Sequence, residues 1–197
     1  MLKQCNKSMF SANLNAGDCG LILSDNIFST MQNWMRLKNK EPKRASHAFM
    51  LTNPPELTEA NGLRTKKGEI YKFIGNSTKC WVFRNKKITP GQIDGIQDYC
   101  NGIVEGGGTY AVGSILQFAL QYIGIRKKLS DETGMFCSEL AVRSYRNEKL
   151  SICGDRPSYA ISPSELLSWF YSDEALKNNW ILSSFYDGKY YWIEESI

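Results

Sequence analysis

The chain has 197 residues, enough for one domain with a hydrophobic core, and a single domain over 1–197 is the expectation. Hydrophobic residues make up 42% and charged residues 22%, and the formal net charge of +4 is too small to imply a nucleic-acid or membrane partner. Met1 to Gly20 lacks the unbroken apolar run of a signal peptide, and no apolar stretch approaches the roughly 20 residues of a spanning helix, so a cytoplasmic protein without stable membrane insertion is expected.

The first periodic segment is Ile27 to Leu37, where Phe28, Met31, Trp34 and Leu37 recur every third residue and predict a helix. A polar loop from Lys38 to Arg44, broken by Pro42, comes next. Ala45 to Leu51 reads as a short buried strand that carries His47 and is ended by Pro54-Pro55. Alternation places His47, Phe49 and Leu51 on one face and Ser46, Ala48 and Met50 on the other. Glu69 to Ile74 and Cys80 to Arg84 read as two further strands joined by a turn at Gly75-Asn76-Ser77. Pro90-Gly91 opens a helix with Ile93, Ile96, Cys100, Ile103 and Val104 at helical spacing, closed by Gly106-Gly107-Gly108. Tyr110 to Ile125 and Met135 to Arg146 are expected helices, and Trp180 to Ile193 is an expected hairpin turning at Asp187-Gly188. Strands and helices are mixed without strict alternation, which argues for an α+β fold with an antiparallel sheet packed against helices.

Six cysteines are spread along the chain with no C-x-x-C pair, and they are expected to be free thiols. His47 is the only histidine, so any Cys–His or Ser–His mechanism must use it. No metal-ligand spacing is present, and neither a metal nor another cofactor is expected. Cys137 stands near the start of a helix, in Gly134-Met-Phe-Cys-Ser-Glu-Leu140. Unpaired N–H groups and the positive end of the helix dipole stabilise a thiolate there and lower its pKa. The same N–H groups suit a tetrahedral oxyanion. Taken alone, Cys137 reads first as a core cysteine beside Leu140, Ala141, Ser144 and Tyr145, and His47 as a structural strand histidine.

Four segments occur in an order that resembles the circularly permuted NlpC-type papain-like proteins. They are Gly17-Asp18 before apolar Leu21-Ile22-Leu23, Ser46-His47-Ala48, Thr58-Glu59-Ala60, and Phe136-Cys137-Ser138-Glu139-Leu140. That group includes YiiX-like hydrolases and, more distantly, lecithin:retinol acyltransferase-like enzymes, and in it the histidine precedes the cysteine. Ile161-Ser162-Pro163-Ser164-Glu165-Leu166 is similar to a segment that comes after the nucleophile helix in the family, and Tyr110 stands where the family commonly has a tyrosine. The resemblance covers about residues 16 to 166. It implies a permuted papain-like fold with Cys137 as nucleophile at a helix N-terminus, His47 as base, and a carboxylate orienting the imidazole. Glu59 matches the acidic position, and Glu69 competes for it because it opens the next expected strand.

The function implied by the resemblance is that of a cysteine-dependent hydrolase working through an acyl-cysteine, on a small-molecule, peptide or lipid acyl substrate. Amidase or peptidase chemistry is favoured, with lipid esterase or acyltransferase chemistry compatible. The alternative is a catalytically silent papain-like binding module. Basic clusters at 38–44, 64–67, 84–87 and 126–128 are dispersed and read as solvated surface, so no nucleic-acid partner is expected.

Overall fold

The computed structural model describes residues 1–23, 44–61, 64–74, 79–107 and 137–194. The helices expected at 27–37 and 110–125, the turn at 75–77, Tyr110 and all but the end of the 38–44 loop lie outside the described residues.

Among the described residues, eight strands form one antiparallel sheet in the order β1-β8-β7-β6-β2-β3-β4-β5. They are β1 (Leu2–Cys5), β2 (Cys19–Leu23), β3 (His47–Asn53), β4 (Glu56–Asn61), β5 (Arg64–Glu69), β6 (Lys79–Asn85), β7 (Trp180–Tyr186) and β8 (Tyr191–Glu194). The helices are α1 (Lys7–Ala12), α2 (Tyr71–Ile74), α3 (Pro90–Glu105), α4 (Cys137–Asn147), α5 (Pro163–Phe170) and α6 (Asp173–Lys177). The expected α+β class with an antiparallel sheet is what the chain forms.

Period-two alternation along the central strands sorts the core into two layers. Leu21, Ala48, Met50 and Phe83 meet Ile96 and Cys100 of α3, Leu140, Ala141 and Tyr145 of α4, and Leu166 and Phe170 of α5. Ile22, Phe49, Leu51, Leu57 and Val82 face the other way, onto Phe10, Leu14, Ile70 and Ile74. Gly20 pairs with Phe49 across β2 and β3, and a Cβ at residue 20 would occupy the space of the Phe49 ring. Local signals set the helix starts. Thr89 and Gln92 form a capping box on α3, Ser162 and Glu165 another on α5, each with proline in the first turn.

One expected element is corrected. Residues 69–74 do not form a strand: Glu69 ends β5 and Tyr71–Ile74 is a helical turn. The aromatic and β-branched residues that suggest a strand are drawn into the second core layer, where Ile70 and Ile74 are buried. The polar stretch after Pro54-Pro55, to which residue patterning assigns no element, forms the hairpin β4–β5, paired from Glu56↔Glu69 to Asn61↔Arg64. β3 runs two residues further than expected, to Asn53. The C-terminal hairpin is as expected, with Asp187 Oδ1 accepting from the N–H groups of Lys189 (2.9 Å) and Tyr190 (2.7 Å).

Candidate active site

The β3–β4 ladder pairs Met50↔Thr58, Leu51↔Leu57 and Asn53↔Glu56, and a register shift between Leu51 and Asn53 carries it into the Pro54-Pro55 turn. Toward the start of β3, His47 and Ala48 lie beyond the last of these pairs. On β4 the residue beyond Thr58 is Glu59, on the same face as Leu57, and on β3 His47 shares the face of Phe49. The two side chains meet there: His47 Nε2 lies 2.8 Å from Glu59 Oε2. Glu59 is fully buried, while His47 keeps 15% of its side chain exposed. The second carboxylate oxygen, Oε1, accepts a bond from Lys72 Nζ, and Lys66 Nζ stands 3.9 Å from it.

Cys137 is the first described residue of α4, which packs on β3. Its sulfur hydrogen-bonds with the imidazole of His47 and accepts from the backbone N–H groups of Ala48 and Ser138. With Nε2 committed to Glu59, Nδ1 is the ring nitrogen that remains for the sulfur. Residues 161–164 tie both partners in place. Ser138 Oγ donates to Ile161 O at 2.6 Å, and Ser164 Oγ bonds both the N–H (2.9 Å) and the carbonyl (3.1 Å) of Ala45, two residues before His47. Farther down α4, Tyr145 donates to Gly17 O at 2.7 Å. Gly17, at φ +83°, turns the chain into Asp18, whose carboxylate pairs with Arg84 at 2.8 Å. The Gly17-Asp18 segment therefore braces the sheet under the helix.

These contacts decide the electrostatics. Burial alone pushes the Cys137 thiol up, but the His47 charge, its hydrogen bond and the two N–H groups outweigh burial and hold it below an ordinary thiol. Burial likewise pushes His47 down, yet Cys137 and Glu59 raise it to about 9. Burial raises Glu59, and His47 with Lys72 brings it down to about 2. The arrangement sets a thiol of lowered pKa beside an imidazole of raised pKa, with a carboxylate of lowered pKa behind it. Burial pushes the other five thiols up: Cys80 and Cys153 to about 12, Cys100 to about 11, with Cys5 raised and Cys19 raised well beyond the usual range.

The three residues singled out from sequence, Cys137, His47 and Glu59, come together, and Glu69 does not join them. Glu69 is exposed and pairs with Glu56, at the end of the hairpin away from Glu59. Lys72 joins the site without any mark in the sequence, since nothing in its spacing singles it out and it falls in the segment expected to be strand. The sulfur is more enclosed than a nucleophile in an open cleft, because Cys137 is only 5% exposed. Among the described residues no cluster of three or more His, Cys, Asp or Glu is placed to hold a metal ion, and no helix is long and apolar enough to cross a membrane. A scan against protein-family models finds no match to this chain, and neither does a search of curated proteins.

Proposed function

We propose that the chain is a thiol hydrolase of permuted papain-like type, in which Cys137, His47 and Glu59 form a catalytic triad. The observation that carries this reading is selective: Cys137 is the one thiol of six held below its ordinary pKa, and it is the one beside the only histidine. A core cysteine has no need of a charged partner, and burial pushes the other five thiols the opposite way.

In this mechanism the Cys137 thiolate attacks the carbonyl carbon of an acyl substrate, and the carbonyl π pair moves to oxygen. The positive end of α4 and the N–H groups near its start stabilise the oxyanion. As the tetrahedral intermediate collapses, the imidazolium of His47 gives its proton to the departing amine or alkoxide. The resulting acyl-cysteine is then attacked by water, or by an acceptor alcohol or amine, with neutral His47 taking the proton. Thiolate loss from the second intermediate releases the product and restores the ion pair, His47 already carrying the proton it took from the attacking water or acceptor. Glu59 fixes the ring so that one nitrogen always faces the sulfur and stabilises the imidazolium. Amide hydrolysis is the favoured reaction, because protonating a poor amine leaving group is what a preformed imidazolium supplies.

A second reading, a papain-like binding module without turnover, draws on the 5% exposure of Cys137. A panel of acyl amide and ester probes separates the two. Mass spectrometry should find an acyl adduct on Cys137 in the wild-type chain and none in Cys137→Ala. Adducts in equal amount on both chains would remove the nucleophile assignment. No adduct from any amide or ester, in a chain whose Cys137 still takes iodoacetamide, would favour the binding module.

A further inference from the structure

Glu59 is held from two sides, and His47 is only one of them. The short helix α2 comes almost at once after β5 and brings two consecutive side chains to the buried pair. Phe73 lies against the imidazole, ring centroids 5.7 Å apart, and stacks on Phe49 at 5.2 Å, so the back of the histidine is walled by apolar rings. Lys72 passes its Nζ 4.7 Å from the Phe73 centroid and donates to Glu59 Oε1. The lysine passes close over Gly68. A Cβ there would stand 2.6 Å from Lys72 Nζ and 3.3 Å from its Cε. Lys72 remains 38% exposed while its head group reaches a carboxylate with no exposed surface.

A carboxylate bonded through one oxygen can still swing about its last torsion, and one bonded through both cannot. We propose that Lys72 is a positioning residue, which engages Oε1 so that Oε2 stays on His47 Nε2 and thereby sustains the Cys137 thiolate through the imidazolium. This rests on reading Cys137, His47 and Glu59 as one unit. Among the described residues, charged and titratable groups reach that unit from β2, β5 and α2. Glu59 faces His47 on β3, Lys66 on β5 and Lys72 on α2. Cys137 faces His47 on β3 and Cys19 on β2. Lys66, at 3.9 Å, is too far from Oε1 to hydrogen-bond and supplies charge without fixing the carboxylate. Removing the Lys72 cation and loosening the imidazolium act on the thiolate in the same direction, so its pKa must rise.

The test needs no substrate. Iodoacetamide alkylation of Cys137 in the full chain, with peptide mass mapping between pH 4 and 9, reads the thiolate inflection. Lys72→Met is expected to raise it by about one unit, which means about tenfold slower alkylation below the inflection. Lys72→Arg should restore most of the loss. Gly68→Ala keeps the lysine but crowds its head group, so it should shift the inflection the same way and add little on top of Lys72→Met. If Lys72→Met and Gly68→Ala both keep the wild-type inflection, Lys72 has no positioning role and the triad stands without it. If wild-type Cys137 itself titrates as an ordinary thiol, the triad reading fails and this inference fails with it. Should Lys72→Met melt below the assay temperature, Gly68→Ala decides alone.

Discussion

At the scale of single residues, charge rather than exposure distinguishes Cys137. It is as buried as the cysteines around it, so a solvent-access argument would not select it. Limited iodoacetamide treatment at pH 6 with peptide mapping should label Cys137 at least about tenfold ahead of any other cysteine, since reactivity tracks the thiolate fraction. First labelling of Cys19 or Cys153 would contradict the charge pattern. His47→Ala should abolish turnover, because no second histidine exists to replace it. Glu59→Gln should cost about 10²-fold and less than Cys137→Ala, while Glu69→Gln should cost nothing measurable. The reverse ranking of the two glutamates would move the third position to Glu69. The proposed nucleophile and base are legible from residue type and motif order. Glu59 is legible only as one of two candidates, because its meeting with His47 depends on a hairpin whose register the sequence does not announce. Lys72 is not legible at all, as one lysine in a lysine-rich segment carries no local mark of the carboxylate it reaches.

At the scale of elements, the site is an assembly of one strand start, one helix start and the segment 161–164 that ties them. Ser164 is the smallest part of that tie. Ser164→Ala removes both of its buried bonds to Ala45, at a cost of about 1–3 kcal/mol for the two together. Thermal or urea melts should show that loss, and Cys137 alkylation should slow with it, because the lead-in to His47 is loosened. Unchanged stability would mean that water replaces the hydroxyl and that the tie is not structural. The elements that patterning identifies, β3, β6, α3, α4 and the β7–β8 hairpin, carry clear alternation, helical spacing or a strong turn. Those it passes over have no such signals. β5 is the polar string Arg64-Thr-Lys-Lys-Gly-Glu69, suited to an edge strand with few apolar residues to alternate. α2 is a single turn of residues that favour strands, made helical by the core contacts of Ile70 and Ile74.

At the scale of the whole molecule, the C-terminal strands, which lie beyond the segments that carry the family resemblance, complete the sheet: β7 pairs with β6, and β8 with β1. The site draws on β3, β4, α2 and α4 together, so its protonation couples to folding. The folded-state pKa of His47 lies near 9, above its ordinary 6.5. The stability it contributes is therefore complete below about pH 6.5 and lost as pH rises through about 9. Glu59 is depressed from 4.5 to about 2, so its contribution is complete above about pH 4.5 and lost as pH falls through about 2. The melting temperature of the wild type relative to His47→Gln should thus be highest near pH 6 and converge toward that variant by pH 10. An unchanging difference would mean that the ring is not charged in the fold. Turnover should rise through the lowered Cys137 pKa and fall near pH 9, as the imidazolium loses the proton it gives to the leaving group.

In the proposed triad, His47 is held as an imidazolium by Cys137 and Glu59. Because the chain contains a single histidine, one ring appears in a histidine-selective NMR titration, with no assignment to dispute. That ring should titrate near pH 9 in the wild type, and its pKa should fall in Cys137→Ala, where the thiolate that raises it is gone. A ring that titrates near 6.5 in both chains would contradict the ion pair and the catalytic reading built on it.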